Sequence, residues 1–370
     1  MRIYGKKTVF EAALDRIRWL YNEFPNVAVS MSGGKDSTVL FHLALQVANE
    51  TGRLPLKVKW LDQELEYEAT VEYMKKIMYR EDVMPLWYQI PFRLLNATSA
   101  QSNWLNVWGE GEEWVREKDP ISIKEVSFKA DRFTEVLDAI NMEVRDNQKT
   151  AILTGVRVEE SPSRLLGLTS RQTYKWITWG AVVNRQKGVY TFSPLYDWSY
   201  TDIWKAIAAN NWPVNTHYQS MYQYGVNIRD MRVSNYHHET ALTNLFRLQE
   251  IEPATYEKAL LRISGLATGN RLGVDDFYVH ALPLMFKDWL EYRDYLLDTI
   301  VSPGDKVEYL RHFKAAESHH PTMLESFYRV EVQAILSNDV GCTKVKNHSA
   351  ANVKHYVKTG GGKPWTRSKV

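Results

Sequence analysis

The chain has 370 residues, 44% hydrophobic and 24% charged, and its 46 Lys and Arg nearly balance 44 Asp and Glu to a net charge of +2. Such a composition excludes disordered, collagen-like and coiled-coil chains, and the length exceeds one core of about 100–200 residues. A single cysteine, Cys342, excludes an intrachain disulfide and any zinc or iron–sulfur site built from several thiolates.

In chain order, NVAVS (Asn26–Ser30) reads as a buried strand, and STVLFHLALQVANE (Ser37–Glu50) as a helix stopped by Gly52. LKVKWLD (Leu56–Asp62) is a second strand, Glu64–Tyr79 a helix, and MPLWYQI (Met84–Ile90) a third strand. Arg93–Asp119 carries Trp104, Trp108 and Trp114 without a clean period and reads as an insertion near the site mouth, its tryptophans packed as a lid. Ile123–Asn147 is expected as one long helix, followed by a fourth strand from Thr150 to Arg157. Strands and helices in this alternation predict an α/β fold, a doubly wound and mainly parallel sheet with its site at the carboxyl ends of the strands.

Beyond Asn215 the strand signal fades, and His238–Glu250, Ala254–Ser264, Asp276–Thr299, Asp305–Ala316 and Pro321–Ser337 read as helices. The expected organisation is an α/β domain over 1–215, a helical domain over 216–339 and a basic tail over 340–370. From Val340 onward there are seven Lys and Arg and no Asp or Glu. Removing those seven from +2 leaves the first 339 residues at −5. The tail reads as a solvated arm, or as one that folds over a nucleotide or contacts nucleic acid. MRIYGKK shows no secretory pattern, and no apolar run approaches a membrane span, so a cytoplasmic protein is expected.

VSMSGGKDST (Val29–Thr38) is the strongest local signal. It lies between the first strand and the first helix, where free N–H groups and the helix dipole favour an anion. Gly33 and Gly34 permit close backbone approach; Ser30, Ser32 and Ser37 add hydroxyls; Lys35 adds a positive charge. Asp36 would be repelled by a bare phosphate, and fits if it faces a metal ion, caps the helix or fixes a neighbouring donor. Val29 and Asp36 stand where a Walker A loop needs glycine and Ser/Thr, so this is a different phosphate loop.

SGGKDS resembles the signature of the PP-loop ATP pyrophosphatase superfamily, the adenine nucleotide α-hydrolase-like proteins. WLDQELEYEAT (Trp60–Thr70), LTGVRVEESPSR (Leu153–Arg164) and FSPLYDWSYTDIWKAI (Phe192–Ile207), followed by NNWPVN (Asn210–Asn215), are similar to its phosphoadenosine phosphosulfate (PAPS) reductase branch. The resemblance implies an ATP site made of Ser30, Ser32, Gly33, Gly34, Lys35, Asp36, Ser37, Asp62 and Gly155, with the β,γ-pyrophosphate held by Ser32, Gly33, Gly34, Lys35 and Ser37. Attack at the α-phosphorus would release pyrophosphate and adenylate a substrate. Lys35, Arg157 and Arg164 would be the catalytic cations, since guanidinium forks suit phosphate oxygens and charge on leaving pyrophosphate. The alternative for each arginine is a salt bridge to Glu159 or Glu160. Asp36 and Asp62 would hold Mg²⁺, or Asp62 a ribose hydroxyl. Asp197–Trp198 reads as structural, its carboxylate capping the helix from Thr201.

A PAPS reductase needs a thiolate nucleophile, which that branch carries in a C-terminal E-C-G-[IL]-H segment. Here the sole thiol stands in DVGCTKV without that frame, so a packed and inert Cys342 is expected. The tract Asn227–Phe246 and the helical region after it look like PAPS-reductase-like proteins related to immunoglobulin-binding regulator A. That resemblance implies a ParB/sulfiredoxin-like partner and an occurrence in phages and mobile elements, with His237, His238, Arg229 and Arg232 closing over the nucleotide or forming a partner face. Three functions follow from the sequence: an ATP pyrophosphatase/adenylyltransferase, a sulfonucleotide reductase using Cys342, and a non-catalytic nucleotide-sensing regulator that binds a protein or DNA.

Overall fold

The computed structural model describes residues 6–95, 104–229, 231–233, 248–263, 266, 281–337 and 339–349. The expected helix at His238–Glu250 up to residue 247, the pair His237–His238, the start of the helix expected at Asp276, and the tail beyond residue 349 lie outside the described residues.

Two compact units are present. One comprises Met1–Glu160 and Gly167–Arg271, the other Ser161–Leu166 and Leu272–Val370. The first therefore takes in residues well past Asn215.

A six-stranded sheet organises the first unit. Its strands are β1 (Asn26–Ser30), β2 (Leu56–Leu61), β3 (Val83–Tyr88), β6 (Thr150–Leu153), β7 (Gly180–Asn184) and β8 (Val189–Phe192), in the order β3-β2-β1-β6-β8-β7. All pairings are parallel except the β7–β8 hairpin. β1, β2 and β6 are almost wholly buried and rich in Val, Ile, Leu and Ala, as strands covered on both faces must be. Helices α1 (Val9–Glu23), α2 (Lys35–Glu50) and α3 (Glu68–Met78) share with the sheet one core that includes Phe24, Phe41, Trp60, Trp87 and Phe192. α1 begins with a capping box in which Thr8 and Glu11 satisfy each other's backbone N–H groups. The chain runs from β1 outward to β3 and then returns to β6 on the other side of β1. That reversal puts the topological switch point between β1 and β6.

The long helix expected over Ile123–Asn147 is only α4 (Phe133–Glu143). Ile123 is spent as a strand partner: its N–H donates to Trp87 O at 2.7 Å, and its carbonyl accepts from Gln89 N at 3.0 Å. The tryptophan-bearing insertion contains a two-stranded ladder, β4 (Phe92–Leu95) with β5 (Trp104–Val107). Asp197 does not cap the next helix. It makes a two-pronged ion pair with Arg16, at 2.8 and 2.6 Å, while Ser199 caps α6 (Tyr200–Ala209) in a box with Asp202. α5 (Pro162–Thr169), α7 (His217–Gln223) and α8 (Pro253–Arg262) are further helices, and residues 248–251 are helical as well.

In the second unit, α9 (Trp289–Thr299), α10 (Pro303–His319) and α11 (Leu324–Leu336) enclose Tyr309, Phe313 and Phe327. Buried Arg293 ties α9 to Glu331 at 2.8 Å and Glu317 at 2.6 Å. Residues 343–349 are helical. No helix among the described residues is long and apolar enough to cross a membrane.

Candidate functional site

Ser30 ends β1 beside Lys59 of β2, and Met31 N still donates to Lys59 O at 2.8 Å before the chain leaves the ladder. The turn comes at Gly33. Its φ is +70°, and a Cβ there would stand 2.6 Å from Thr70 Cγ2, so backbone and space both require glycine. Gly34 precedes α2 in an extended conformation and provides no side-chain cap, which leaves the first N–H groups of the helix to other partners.

The loop is tied together by its own side chains and by residues from far along the chain. Ser37 Oγ donates to Gly34 O at 2.9 Å, accepts from Ser32 N at 3.3 Å and lies 3.2 Å from Ser32 Oγ. The two hydroxyls thus face one another across the turn. The Lys35 N–H donates to the Tyr218 hydroxyl at 3.0 Å. The Lys35 amine donates to Met231 O at 3.4 Å and sits 3.2 Å from Asp36 Oδ2. Burial pulls this amine below its ordinary value, with Asp36 opposing the shift.

β6 delivers the other wall. A Cβ at Gly155 would stand 2.9 Å from Ser37 N and 3.0 Å from Asp36 C, so this glycine lets the strand end approach the backbone of α2. Arg157 is buried, and its Nε donates to Asp36 Oδ1. Its Nη1 donates to Glu159 Oε2 at 3.0 Å and to Trp198 O at 3.3 Å, and its Nη2 lies 3.8 Å from Glu160 Oε1. Of the three roles open to Asp36, it takes the last: it fixes the two neighbouring cations, Lys35 and Arg157. The structure thereby joins Ser32, Gly33, Gly34, Lys35, Asp36, Ser37, Gly155 and Arg157 at the switch point. Arg164 belongs to the second unit, in the segment Ser161–Leu166.

Asp62 sits apart from this group, with no exposed surface. Its Oδ2 accepts from Trp87 Nε1 and Gln89 Nε2, both at 2.9 Å, and its Oδ1 accepts from Glu64 N at 2.9 Å and from Arg116. Next to it, Glu64 accepts from Trp108 N at 2.7 Å and from Arg262 Nε at 2.9 Å. The DQE turn is therefore an anchor for the tryptophan insertion. Two carboxylates so engaged, Asp36 by two cations and Asp62 by four donors, do not fit a protein-held Mg²⁺. Among the described residues no group of three or more His, Cys, Asp and Glu could hold a metal ion.

Two residues had no role assigned from the sequence. Asn215, wholly buried, donates to Gly33 O at 3.2 Å and to Thr70 Oγ1 at 2.8 Å, and its own Oδ1 accepts from His217 N at 3.0 Å. Tyr218 reaches the loop as described. The PVN tripeptide was the available signal for the first; for the second there was none. Beyond them, His217 stacks on Tyr67 at 3.8 Å, with its Nδ1 3.5 Å from Glu252 Oε1. Glu252 caps α3, accepting from Glu68 N at 2.8 Å. Cys342 is fully buried, and burial raises its thiol far above the ordinary range.

Comparison with known proteins gives the chain's family. The chain is 28% identical over 326 residues to the uncharacterized protein YbdN of Escherichia coli (strain K12), covering 84% of this chain and 79% of that one. It is 22% identical over 214 residues to sulfate adenylyltransferase subunit 2 of Agrobacterium fabrum, covering 56% of this chain and 62% of the relative. The solved PAPS reductase of Candida auris overlaps 64% of this chain and 98% of its own at 12% identity and a TM-score of 0.35. The sequence model of the phosphoadenosine phosphosulfate reductase domain matches residues 26–224, more than half of the chain. With that span enclosing the Ser32–Ser37 loop, Arg157 and Asn215, the chain belongs to the phosphoadenosine phosphosulfate reductase domain family of the PP-loop superfamily.

Proposed function

We propose that the chain binds ATP at the Ser32–Ser37 loop and cleaves it between the α- and β-phosphates, transferring the adenylyl group to an acceptor oxygen. The observation that carries this reading is the meeting of paired Ser32 and Ser37 hydroxyls with Lys35 and Arg157 at the β1–β6 switch point. The oxygen of the acceptor forms the new bond to the α-phosphorus as the bond to the bridging oxygen breaks, and pyrophosphate leaves with the electron pair. Lys35 and Arg157 are positioned by Asp36 to offset the charge that grows on the leaving group. The naming of one relative as a sulfate adenylyltransferase subunit supports adenylyl chemistry. A ParB/sulfiredoxin-like protein, implied by the resemblance to immunoglobulin-binding regulator A, is the proposed partner. The burial of Cys342 favours this reading over thiol-dependent reduction. Incubation with α-labelled ATP and that partner tests it: AMP or an adenylated product is expected, and loss of product in Arg157→Ala. Labelled ADP would refute α-cleavage.

A further inference from the structure

Tyr218 stands on α7, 183 residues from the loop it touches, and is 4% exposed. Its oxygen accepts the Lys35 N–H at 3.0 Å. Measured from the point where a Gly34 Cβ would sit, that oxygen is 3.5 Å away and Ser32 Oγ is 3.4 Å away. The phenol therefore reaches into the same turn as the serine hydroxyl. Its ring is held from two sides: the Lys35 amine lies 5.6 Å from the centroid, and Trp204 meets it edge-on at 5.3 Å and 88°. A phenol that accepts one hydrogen bond still has its own proton to donate. Burial raises Tyr218 well above its ordinary value, so it keeps that proton at neutral pH.

We propose that Tyr218 is a further phosphate-binding residue, its oxygen oriented by the Lys35 N–H and its proton donated to an oxygen of a bound pyrophosphate group beside Ser32. This rests on the reading of the loop as a phosphate site. An oriented neutral donor suits this position: it adds a hydrogen bond to the anion without adding charge next to Lys35 and Arg157. Because Trp204 packs on the same ring, occupancy of the loop is also felt at that indole.

Titration of the full chain with inorganic pyrophosphate, followed by calorimetry, is the test. Tyr218→Phe is expected to bind about tenfold more weakly than the unaltered chain, the scale of one hydrogen bond to a charged group. Its ligand-free melting curve is expected to stay close to that of the unaltered chain. Equal or tighter binding by Tyr218→Phe overturns the proposal and leaves the phosphate reading standing. A large fall in ligand-free stability that accounts for the lost affinity assigns Tyr218 a structural role and also overturns it. Absence of pyrophosphate binding by the unaltered chain removes the phosphate reading, and the proposal with it. Should Tyr218→Phe fail to fold, the emission of the unaltered chain minus that of Trp204→Phe decides: a change at saturating pyrophosphate supports the proposal, and no change overturns it.

Discussion

The side-chain amide of Asn215 donates to the carbonyl of Gly33 at 3.2 Å, fastening the turn of the phosphate loop to the segment that follows α6. The same amide group holds Thr70 of α3, so one buried side chain links three elements around the turn. Asn215→Ala leaves the Gly33 carbonyl and the Thr70 hydroxyl without this donor. A loss of about 1–3 kcal/mol in stability is expected by urea unfolding, with weaker ATP binding by calorimetry. Asn215→Asp is expected to be worse, because it points a carboxylate at a carbonyl.

Gly33 has two separate reasons to be glycine, and they can be separated by mutation. Gly33→Ala combines a positive φ with a 2.6 Å contact to Thr70 Cγ2. The expected cost is about 1–3 kcal/mol for the backbone, with more from the contact. Adding Thr70→Ser removes the opposing methyl and is expected to recover only part of the loss, both in melting temperature and in nucleotide affinity. Full recovery would show that the backbone carries no strain.

Arg157 holds Asp36 with Nε and the Glu159–Trp198 side with Nη1, a division of labour that a lysine cannot reproduce. Arg157→Lys is therefore expected to lower turnover by about 10²–10³-fold, in the range of losing one stabilising donor to the transition state. Steady-state kinetics checks this: kcat should fall more than KM rises.

How far the sequence foretold this site depends on chain distance. The β1–loop–α2 unit was legible because its signals are contiguous: an apolar strand, two glycines and an amphipathic helix. β7 and β8 are harder to read: the β7 segment GAVVN exposes Ala181 and Val182, and the β8 segment VYTF interrupts its apolar run with Thr191. α4 was overextended because an apolar residue, Ile123, serves a strand edge where the pattern could equally serve a helix. Asp62 looked like a ligand by position, yet Trp87, Gln89 and Arg116 surround it, and those partners lie 25, 27 and 54 residues away. Tyr218 was invisible for the same reason.

Glu66 gives a pH dependence of stability. Burial, reinforced by the charge of Asp62, raises its carboxyl from 4.5 to about 8. A raised carboxyl favours the folded state fully below its unfolded value, and that contribution is lost as pH rises through the folded one. Stability should therefore decline between about pH 4.5 and pH 8, and Glu66→Gln should be the more stable protein at pH 8 and above. Denaturant melts at several pH values check this, and parallel curves for the two proteins would refute it.

Cys342 is expected to be unreactive in the folded chain, since it is fully buried and its thiol is held protonated. Ellman's reagent should titrate no thiol in native protein and one in denaturant. Rapid reaction of the native thiol would reopen a redox role.

The most direct test of α–β cleavage is to follow ATP with the full chain and its acceptor by phosphorus NMR. Pyrophosphate is expected to appear together with AMP or an adenylated acceptor, and both signals should vanish in Arg157→Ala. Appearance of ADP and orthophosphate instead would contradict cleavage at the α-phosphorus.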